Sequence, residues 1–223
     1  MSTPAPSFVD IPGRLKQAID HFKEFEWQLL CNLRVACPGI IQSFDAVAQT
    51  VKVQLALREN ILQNLVPTPI AVPPLINVPI LLLGGNGFTV CPPIAAGDEC
   101  LVIFADMCID GWWQAGGVQN QLDRRRHDLS DGFALVGVRS QPRKLVNYST
   151  TALQIRSDDG HTVIELGTNE ITMTPDNGTT QFKITPGEID LTAVTVKING
   201  KAYALHEHTG VTTGGGISGP VAP

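Results

Sequence analysis

Apolar residues near the start of the chain recur at helical spacing. The segment SFVDIPGRLKQAIDHFKEFEWQLLCN carries its apolar stripe at Leu15, Ile19, Phe22, Trp27 and Leu30. These positions fall on or near one face of a helix, Asp10 can cap its start, and Pro12 suits its first turn. We therefore predict a helical segment within residues 1–32. Its stripe packs either against its own domain or against a partner.

Short apolar runs bounded by Gly, Pro and Asp follow the predicted helix. The runs LINVPILLL, ECLVIFAD and GFALVGVRS predict strands, and GIIQSFDAVAQTVKVQLALRE predicts two strands around the turn DAVAQ. Such a series of short strands, without helices alternating between them, is typical of a small closed barrel such as an OB-fold. We predict an OB-fold domain over residues 33–145.

From residue 146 onward, apolar and polar residues alternate in short strands separated by the turn sequences DDG, DNG and NG. Phe182 and Ile184, for example, alternate with polar neighbours, so their strand has one apolar and one polar face. A thin ribbon of this kind cannot close a core alone, because an isolated hairpin is only marginally stable in water. We predict that residues 146–205 form a rod in which identical chains wind together and bury their apolar faces.

In the last stretch, the side chains at even-numbered positions become smaller along the chain, and two histidines follow them. These positions are Val194, Val196, Ile198, Gly200, Ala202, Ala204, His206 and His208. If Asn199 and Gly200 preserve the strand register, all of these positions lie on one face. Strands with ever smaller inward side chains can converge on a symmetry axis. If the register shifts by one residue at that turn, the histidines and the preceding small residues lie on different faces, and convergence on an axis is no longer predicted.

Two histidines from each chain would meet around such an axis. Residues two apart on a strand lie roughly 6.6 Å apart on one face, so three chains would stack two rings of imidazoles and offer six nitrogen donors. Six nitrogens make an octahedral site, which disfavours four-coordinate zinc and the oxygen-binding Mg²⁺ and Ca²⁺. We predict His206 and His208 as metal ligands, with one Fe²⁺ per trimer. The alternative is a His-x-His pair on an ordinary exposed strand.

Composition narrows the class of protein. The 223 residues carry 16 Lys and Arg against 21 Asp and Glu, a formal net charge of −5, which argues against a protein that neutralises nucleic-acid phosphates. No apolar run is long enough for a membrane span, and the first residues lack the features of a signal peptide. We therefore expect a soluble product made in the cytosol. Without a Cys-x-x-Cys pair, we expect free thiols at Cys31, Cys37, Cys91, Cys100 and Cys108.

Candidate catalytic groups are sparse. Asp110, Asp128 and Asp131 lie in turn-like contexts, whereas glycoside hydrolysis needs a matched pair of acids in a cleft, one of them kept protonated. We find neither a Ser-His-Asp nor a His-Glu-x-x-His arrangement. We interpret the basic stretch LDRRRHD as a solvated loop, with a nucleic-acid contact as the alternative. Trp112 and Trp113, if neighbours on a strand, point to opposite faces, so one of them meets another copy, another domain or a carbohydrate.

The chain resembles the central membrane-puncturing spikes of contractile-tailed bacteriophages and related contractile injection particles. The resemblance is carried by GIIQSFDAVAQTVKVQLALRE, GDECLVIFADMCIDGWWQAGG and RRRHDLSDGFALVGVRSQP in the predicted barrel, and by HEHTGVTTGGGISGPV at the end. It extends over residues 33–223 and assigns no role to residues 1–32.

This resemblance implies a mainly β homotrimer with an OB-fold domain, an intertwined triple-stranded β-helix and a pointed tip with a buried iron ion. The metal role carries over to His206 and His208, within a tip and Gly-rich C-terminus at residues 206–223. The resemblance also implies a virion component at the tail baseplate tip, assembled in the host cytoplasm. Such a spike binds baseplate hub or tail-tube proteins and pierces the host outer membrane mechanically on sheath contraction.

Neither enzymatic activity nor a nucleic-acid or small-molecule ligand is expected of such a spike. The alternatives are a tail-associated cell-wall hydrolase and an OB-fold module that binds nucleic acid or sugar.

Overall fold

The computed structural model describes residues 11–64, 66–175, 178–198 and 200–202. The chain divides into two compact units, residues 1–142 and 143–223. The predicted N-terminal helix is confirmed as α1 (Ile11–Asn32), and its expected cap at Asp10 lies outside the described residues. In the described ranges, the helices are too short or too polar to cross a bilayer.

The first unit is built mainly from strands. They are β1 (Ala36–Asp45), β2 (Thr50–Leu55), β3 (Arg58–Gln63), β4 (Val66–Ala71), β5 (Leu75–Leu81), β6 (Leu83–Gly85), β7 (Phe88–Val90), β8 (Glu99–Phe104) and β9 (Gly132–Val136). A short helix, α2 (Asp110–Ala115), lies between β8 and β9, and a 3₁₀ turn spans Gln141–Arg143.

Five of these strands close into a barrel in the order β1-β2-β5-β9-β8. Neighbouring strands are antiparallel except β5 and β9, which are parallel. These are the strands predicted from the apolar runs, so the expectation of a small closed barrel is confirmed. Two hairpins, β3–β4 and β6–β7, are inserted between barrel strands as separate two-stranded sheets.

Alternation along the barrel strands builds the core. In β8 every second side chain is buried, and the same period directs one side of β2 inward. The buried apolar side chains from these two strands are Val51, Val53, Leu55, Cys100, Val102 and Phe104. Burial raises the pKa of the Cys100 thiol to about 11, so this thiol stays protonated. All five cysteines are free, as expected.

The turn between β1 and β2 is the one predicted from DAVAQ. The Asp45 carboxylate accepts backbone N–H groups from Val47 at 2.9 Å and Ala48 at 3.0 Å, and Gln49 adopts a φ of 53°. An aspartate that bonds to the backbone two or three residues later favours this kind of reversal. The local sequence therefore specifies the first hairpin of the barrel.

The second unit contains a sheet of five strands that follow one another in space as they do in sequence. They are β10 (Leu153–Arg156), β11 (Val163–Leu166), β12 (Ile171–Thr174), β13 (Gln181–Thr185) and β14 (Glu188–Thr192). Each strand is antiparallel to the next. The expected run of short alternating strands is confirmed at the level of the single chain, and the intertwined β-helix stays a prediction.

The predicted course of the last strand is wrong. β14 ends at Thr192, and β15 begins only at Lys197, so Val194 and Val196 do not belong to a strand. The chain then reverses, because Lys197 of β15 (Lys197–Ile198) pairs with Ala202 of β16 (Lys201–Ala202), with Gly200 at a φ of 79°.

This reversal changes which residues share a face. Directly opposed residues of an antiparallel pair lie on the same side, so Ala202 shares a face with Lys197. The even-numbered positions from 194 to 202 therefore do not form one tapering face. An Asn-Gly sequence favours a two-residue hairpin turn, and this preference outweighs the continuation of a straight strand.

Candidate functional site

The sheet of the second unit carries an apolar face that arises from the register of its strands. Directly opposed residues form two continuous rows across all five strands. One row consists of Leu153, Leu166, Ile171, Ile184 and Ile189. The other row consists of Ile155, Ile164, Met173, Phe182 and Leu191. Because positions two apart on a strand point the same way, both rows lie on one side of the sheet. We call this side the apolar face.

The apolar face is open to solvent in the single chain. Seven of its ten side chains are 38–66% exposed, and Ile164, Phe182 and Ile184 are half-buried. Opposed residues in an antiparallel pair have Cβ atoms about 4.5–5.5 Å apart, so each row forms a continuous strip. Contiguous apolar surface of this kind marks an interaction site in soluble proteins.

The opposite side of the sheet is polar. Its central row consists of Gln154, Glu165, Thr172, Lys183 and Asp190. Gln154 donates a hydrogen bond to Glu165, and Lys183 Nζ lies 2.6 Å from Glu170 Oε2. The hydrogen bond to Glu170 raises the pKa of Lys183. Protein hydrogen bonds and an ion pair satisfy several of these polar groups, whereas the apolar face has no such partner within the described sheet.

Two of the acids considered as catalytic groups meet at one arginine. Arg125 Nε lies 2.6 Å from Asp131 Oδ2, and its Nη2 lies 2.7 Å from Asp110 Oδ2. Asp131 is completely buried and also accepts the backbone N–H of Ile109 at 3.0 Å. The hydrogen bond from Arg125 lowers the pKa of Asp110, and the bonds to Asp131 and Asp110 raise the pKa of Arg125. We call Arg125, Asp110 and Asp131 the arginine clamp.

The clamp does not have the chemistry of a glycosidase pair. Such a pair needs one carboxyl group that stays protonated near neutral pH, whereas the Arg125 guanidinium hydrogen-bonds both carboxylates and lowers the pKa of Asp110. The third acid, Asp128, accepts the backbone N–H of Ser130 at 2.9 Å, and this bond lowers its pKa as well. The geometry is that of a structural ion cluster.

Ligand atoms of Cys108, Asp110 and Asp131 lie within 4.8 Å of one another. This spacing alone would allow a cation. However, Arg125 already hydrogen-bonds both carboxylates and supplies the positive charge. The cluster is therefore satisfied by protein groups.

The basic stretch LDRRRHD is tied to acids of the same unit. Besides Arg125 in the clamp, Arg126 Nη1 lies 2.7 Å from Asp106 Oδ2, and His127 Nε2 lies 3.4 Å from Asp106 Oδ1. A nucleic-acid contact needs cations that are available to phosphates. Two of the three arginines are paired with acids and Arg124 is exposed, which fits a solvated surface loop better than a phosphate-binding patch.

The two adjacent tryptophans lie on a helix, so the prediction that they occupy a strand is wrong. Trp112 and Trp113 belong to α2, and their ring centroids are 6.4 Å apart. Trp112 packs edge-on against Phe133 of β9 at 5.7 Å, which joins α2 to the barrel. The indoles are 47% and 43% exposed, and the expected contact of one of them with another copy, another domain or a carbohydrate stays a prediction.

The predicted metal ligands His206 and His208 lie outside the described residues. The structure therefore brings the carboxylates of Asp110 and Asp131 together at Arg125, and the Asp128 carboxylate is not part of this clamp. The histidine pair stays a prediction. Sequence reasoning missed Arg125, which no local pattern distinguishes from its two arginine neighbours. It also missed the two apolar rows, whose members alternate visibly but whose alignment depends on strand register.

Residues 37–137 match the family described as the phage protein Gp138 N-terminal domain. The matched range begins in β1 and ends directly after β9, so it coincides with the barrel and its insertions. No curated protein matches the chain. The likeness is to a phage protein and fits the sequence resemblance to a phage component; α1 and the sheet of the second unit lie outside it.

Proposed function

We propose that this chain is the central spike at the end of a contractile phage tail, a homotrimer that pierces the host cell envelope mechanically when the sheath contracts. The observation that carries the proposal is the apolar face. It is contiguous, it spans all five strands, and it is exposed in the single chain. A single ribbon of this kind has one natural partner, which is the same face of another copy.

The energetics favour assembly through this face. Burying a Leu, Ile, Phe or Met side chain contributes roughly 1.5–3 kcal/mol. With seven such side chains exposed per chain, covering the face is worth on the order of 10 kcal/mol per chain before the cost of ordering. Three sheets around an axis, each turning its apolar face inward, would enclose a dry interior and leave the polar rows outside.

The barrel fits the role of an adaptor. Its order β1-β2-β5-β9-β8, with one parallel pair between β5 and β9, corresponds to a five-stranded barrel of OB-fold type. Its likeness to a phage protein domain supports a position in the virion, and we propose that it joins the spike to baseplate hub or tail-tube proteins. The fold alone does not specify a ligand.

We further propose that His206 and His208 of three chains hold one Fe²⁺ at the tip. The chain reverses between Ile198 and Lys201, so side chains of decreasing size on one straight strand do not support this proposal. It rests on the His-x-His pair followed by a Gly-rich end, which resembles the finish of the phage spikes. Imidazole nitrogens from three chains would supply a complete octahedral set, and the ion would fasten the chain ends where fraying begins.

The competing functions receive less support. A cell-wall hydrolase requires an acid pair with separated pKa values, and the clamp ties both of its acids to Arg125. A single-strand nucleic-acid binder requires available cations, and the net charge is −5. We therefore propose a protein that acts by mechanical force and performs no catalysis.

The assembly is tested by light scattering on variants of the sheet in the second unit. We expect the wild-type mass to be three times the 24.0 kDa chain mass. Ile155→Asn combined with Met173→Asn places two amides in one apolar row and should weaken or abolish the trimer. Thr172→Asn, adjacent to Met173 but on the polar side, should leave the trimer intact.

A monomeric wild-type protein at working concentration would refute the spike. Equal trimer stability in the double variant and in Thr172→Asn would show that the apolar face is not the assembly surface.

A further inference from the structure

Helix α1 presents a second apolar surface, separate from the sheet. Leu15, Ile19, Phe22, Phe25 and Leu29 of the helix are 45–69% exposed, and Leu33, directly after the helix, is 46% exposed. Much of this apolar surface stays open to solvent in the single chain, whereas a helix in a protein gains most of its stability from packing such a face. The helix therefore needs a partner for this surface.

The spacing of the apolar residues identifies the kind of partner. Leu15, Phe22 and Leu29 recur every seven residues, and Ala18 and Phe25 fall three residues after the first two. This alternation of three and four is the a and d pattern of a coiled coil. In a parallel coiled coil of identical helices, each a or d residue lies level with the same residue of the other copies. The apolar stripe of α1 can therefore pack against the same stripe of another copy.

The width of the surface favours more than one neighbouring helix. Ile19 and Leu33 stand at the position directly after d and extend the stripe on one side. A stripe of a, d and e residues belongs to a bundle in which each helix touches two others, whereas a two-stranded coiled coil uses a and d alone. A third helix would cover the additional residues.

The flanking charges agree with a parallel register. In the same heptad assignment His21 occupies a g position and Glu26 the e position of the next heptad. In a parallel coiled coil, g and the following e of adjacent helices face each other, so His21 would lie near Glu26 of the next copy. The pairing of a base with an acid suits this arrangement.

We propose that the α1 helices of three copies associate as a parallel three-helix coiled coil. The inference rests on the proposed homotrimer, and it adds a second association site to the apolar face of the sheet. It assigns residues 15–33 to self-assembly, while the barrel surface stays available for tail proteins.

A photo-crosslinking experiment on the full chain tests the coiled coil. p-Benzoylphenylalanine is introduced in place of Phe22, at the a position, or in place of Trp27, which the heptad assignment places at the outer f position, away from the rest of the stripe predicted from the sequence. Both replacements exchange one aromatic ring for another, so they form a matched pair. The native masses are measured by light scattering before irradiation.

With the probe at Phe22, we expect irradiation to shift the denatured band from 24.0 kDa to two and three times that mass. Mass spectrometry should place the crosslink within residues 15–33 of another copy. With the probe at Trp27, the band should stay at one chain mass.

The outcomes separate this inference from the proposed function. A trimeric native mass without interchain crosslinks at Phe22, or with crosslinks only to the barrel, overturns the coiled coil and leaves the spike proposal standing. Crosslinks to an added tail protein in place of another copy also overturn it. Interchain crosslinks at Phe22 support the coiled coil. If the trimeric mass is also unchanged by Ile155→Asn combined with Met173→Asn, the same result contradicts assembly through the sheet. A monomeric native mass contradicts both.

Discussion

At the scale of single residues, Arg125 fixes the conformation of the loop between β8 and β9 through its hydrogen bonds. Asp131 is completely buried, and it receives two hydrogen bonds from this guanidinium, of 2.6 and 2.9 Å. Asp110 binds the same side chain from the first turn of α2. Three groups far apart in the loop are thereby fixed to one another. A lysine could not replace the planar fork, because it offers a single point charge.

Removing this guanidinium should destabilise the barrel. We expect Arg125→Ala to lower the free energy of unfolding by roughly 3–5 kcal/mol, because Asp131 would remain buried without its counter-charge. The shift of the urea midpoint, followed by tryptophan fluorescence, measures the effect.

Arg126→Ala is the matched control for this substitution. Its ion pair with Asp106 is exposed on both sides, so the loss should stay below about 1 kcal/mol. Equal shifts for the two variants would mean that the clamp is not a structural centre.

At the scale of the secondary-structure elements, close approach of strands limits what the barrel tolerates. Gly39 of β1 is paired with Leu55 of β2 and with Cys100 of β8. A Cβ atom at this position would overlap Val53 Cγ1 and lie 3.4 Å from Cys100 Sγ. Val53 and Cys100 are both completely buried, so neither can move away without disturbing the core.

We predict that Gly39→Ala overpacks the barrel and lowers the free energy of unfolding by roughly 1–3 kcal/mol. Gly85→Ala is the control, because a Cβ atom on this residue of β6 meets no atom within 4 Å. Its effect should stay within about 0.5 kcal/mol. Thermal denaturation of the two variants gives the comparison, and a tolerant Gly39 would show that β1 can separate from its neighbours.

The spacing of apolar residues along the chain predicted some secondary-structure elements correctly and others wrongly. The helix period predicted α1, and the runs bounded by turn residues predicted the barrel strands. The tryptophan pair was assigned to a strand because two adjacent aromatic residues carry no periodicity. α2 has only six residues, too few for a helical repeat to show. Lys197–Ile198 and Lys201–Ala202 pair as a hairpin instead of continuing as one straight strand, because an Asn-Gly sequence favours a tight reversal.

At the scale of the whole molecule, the proposed spike depends on surfaces that a single chain leaves open. The apolar face lies in the second unit and α1 in the first, and both expose large apolar side chains. Each unit therefore contributes its own association surface. Assembly would then use both surfaces, and loss of the apolar face would still weaken the trimer.

The tip metal gives a prediction at this scale. We expect replacement of His206 and His208 by Ala to abolish bound iron, because these residues would supply all six nitrogen donors. The trimeric mass should remain, since the proposed assembly surfaces lie elsewhere. Elemental analysis and light scattering on the same sample measure both quantities.

His161→Ala is the control, because this histidine stands beside Asp159 in the turn between β10 and β11. Iron retained in the double variant would exclude the histidine pair as ligands, and collapse to monomers would mean that the ion organises the whole assembly.

The sequence by itself determined the local structure: where the helix runs, where the barrel strands lie, and which side of each strand is apolar. These features follow from the periods 3.6 and 2, and each is visible within one short segment. Only the tertiary structure decided that Arg125 joins Asp110 to Asp131, and that apolar residues of five strands align in two unbroken rows. The physical reason is that a period tells which side a residue faces, whereas its partner depends on turn geometry and on the pairing of distant segments.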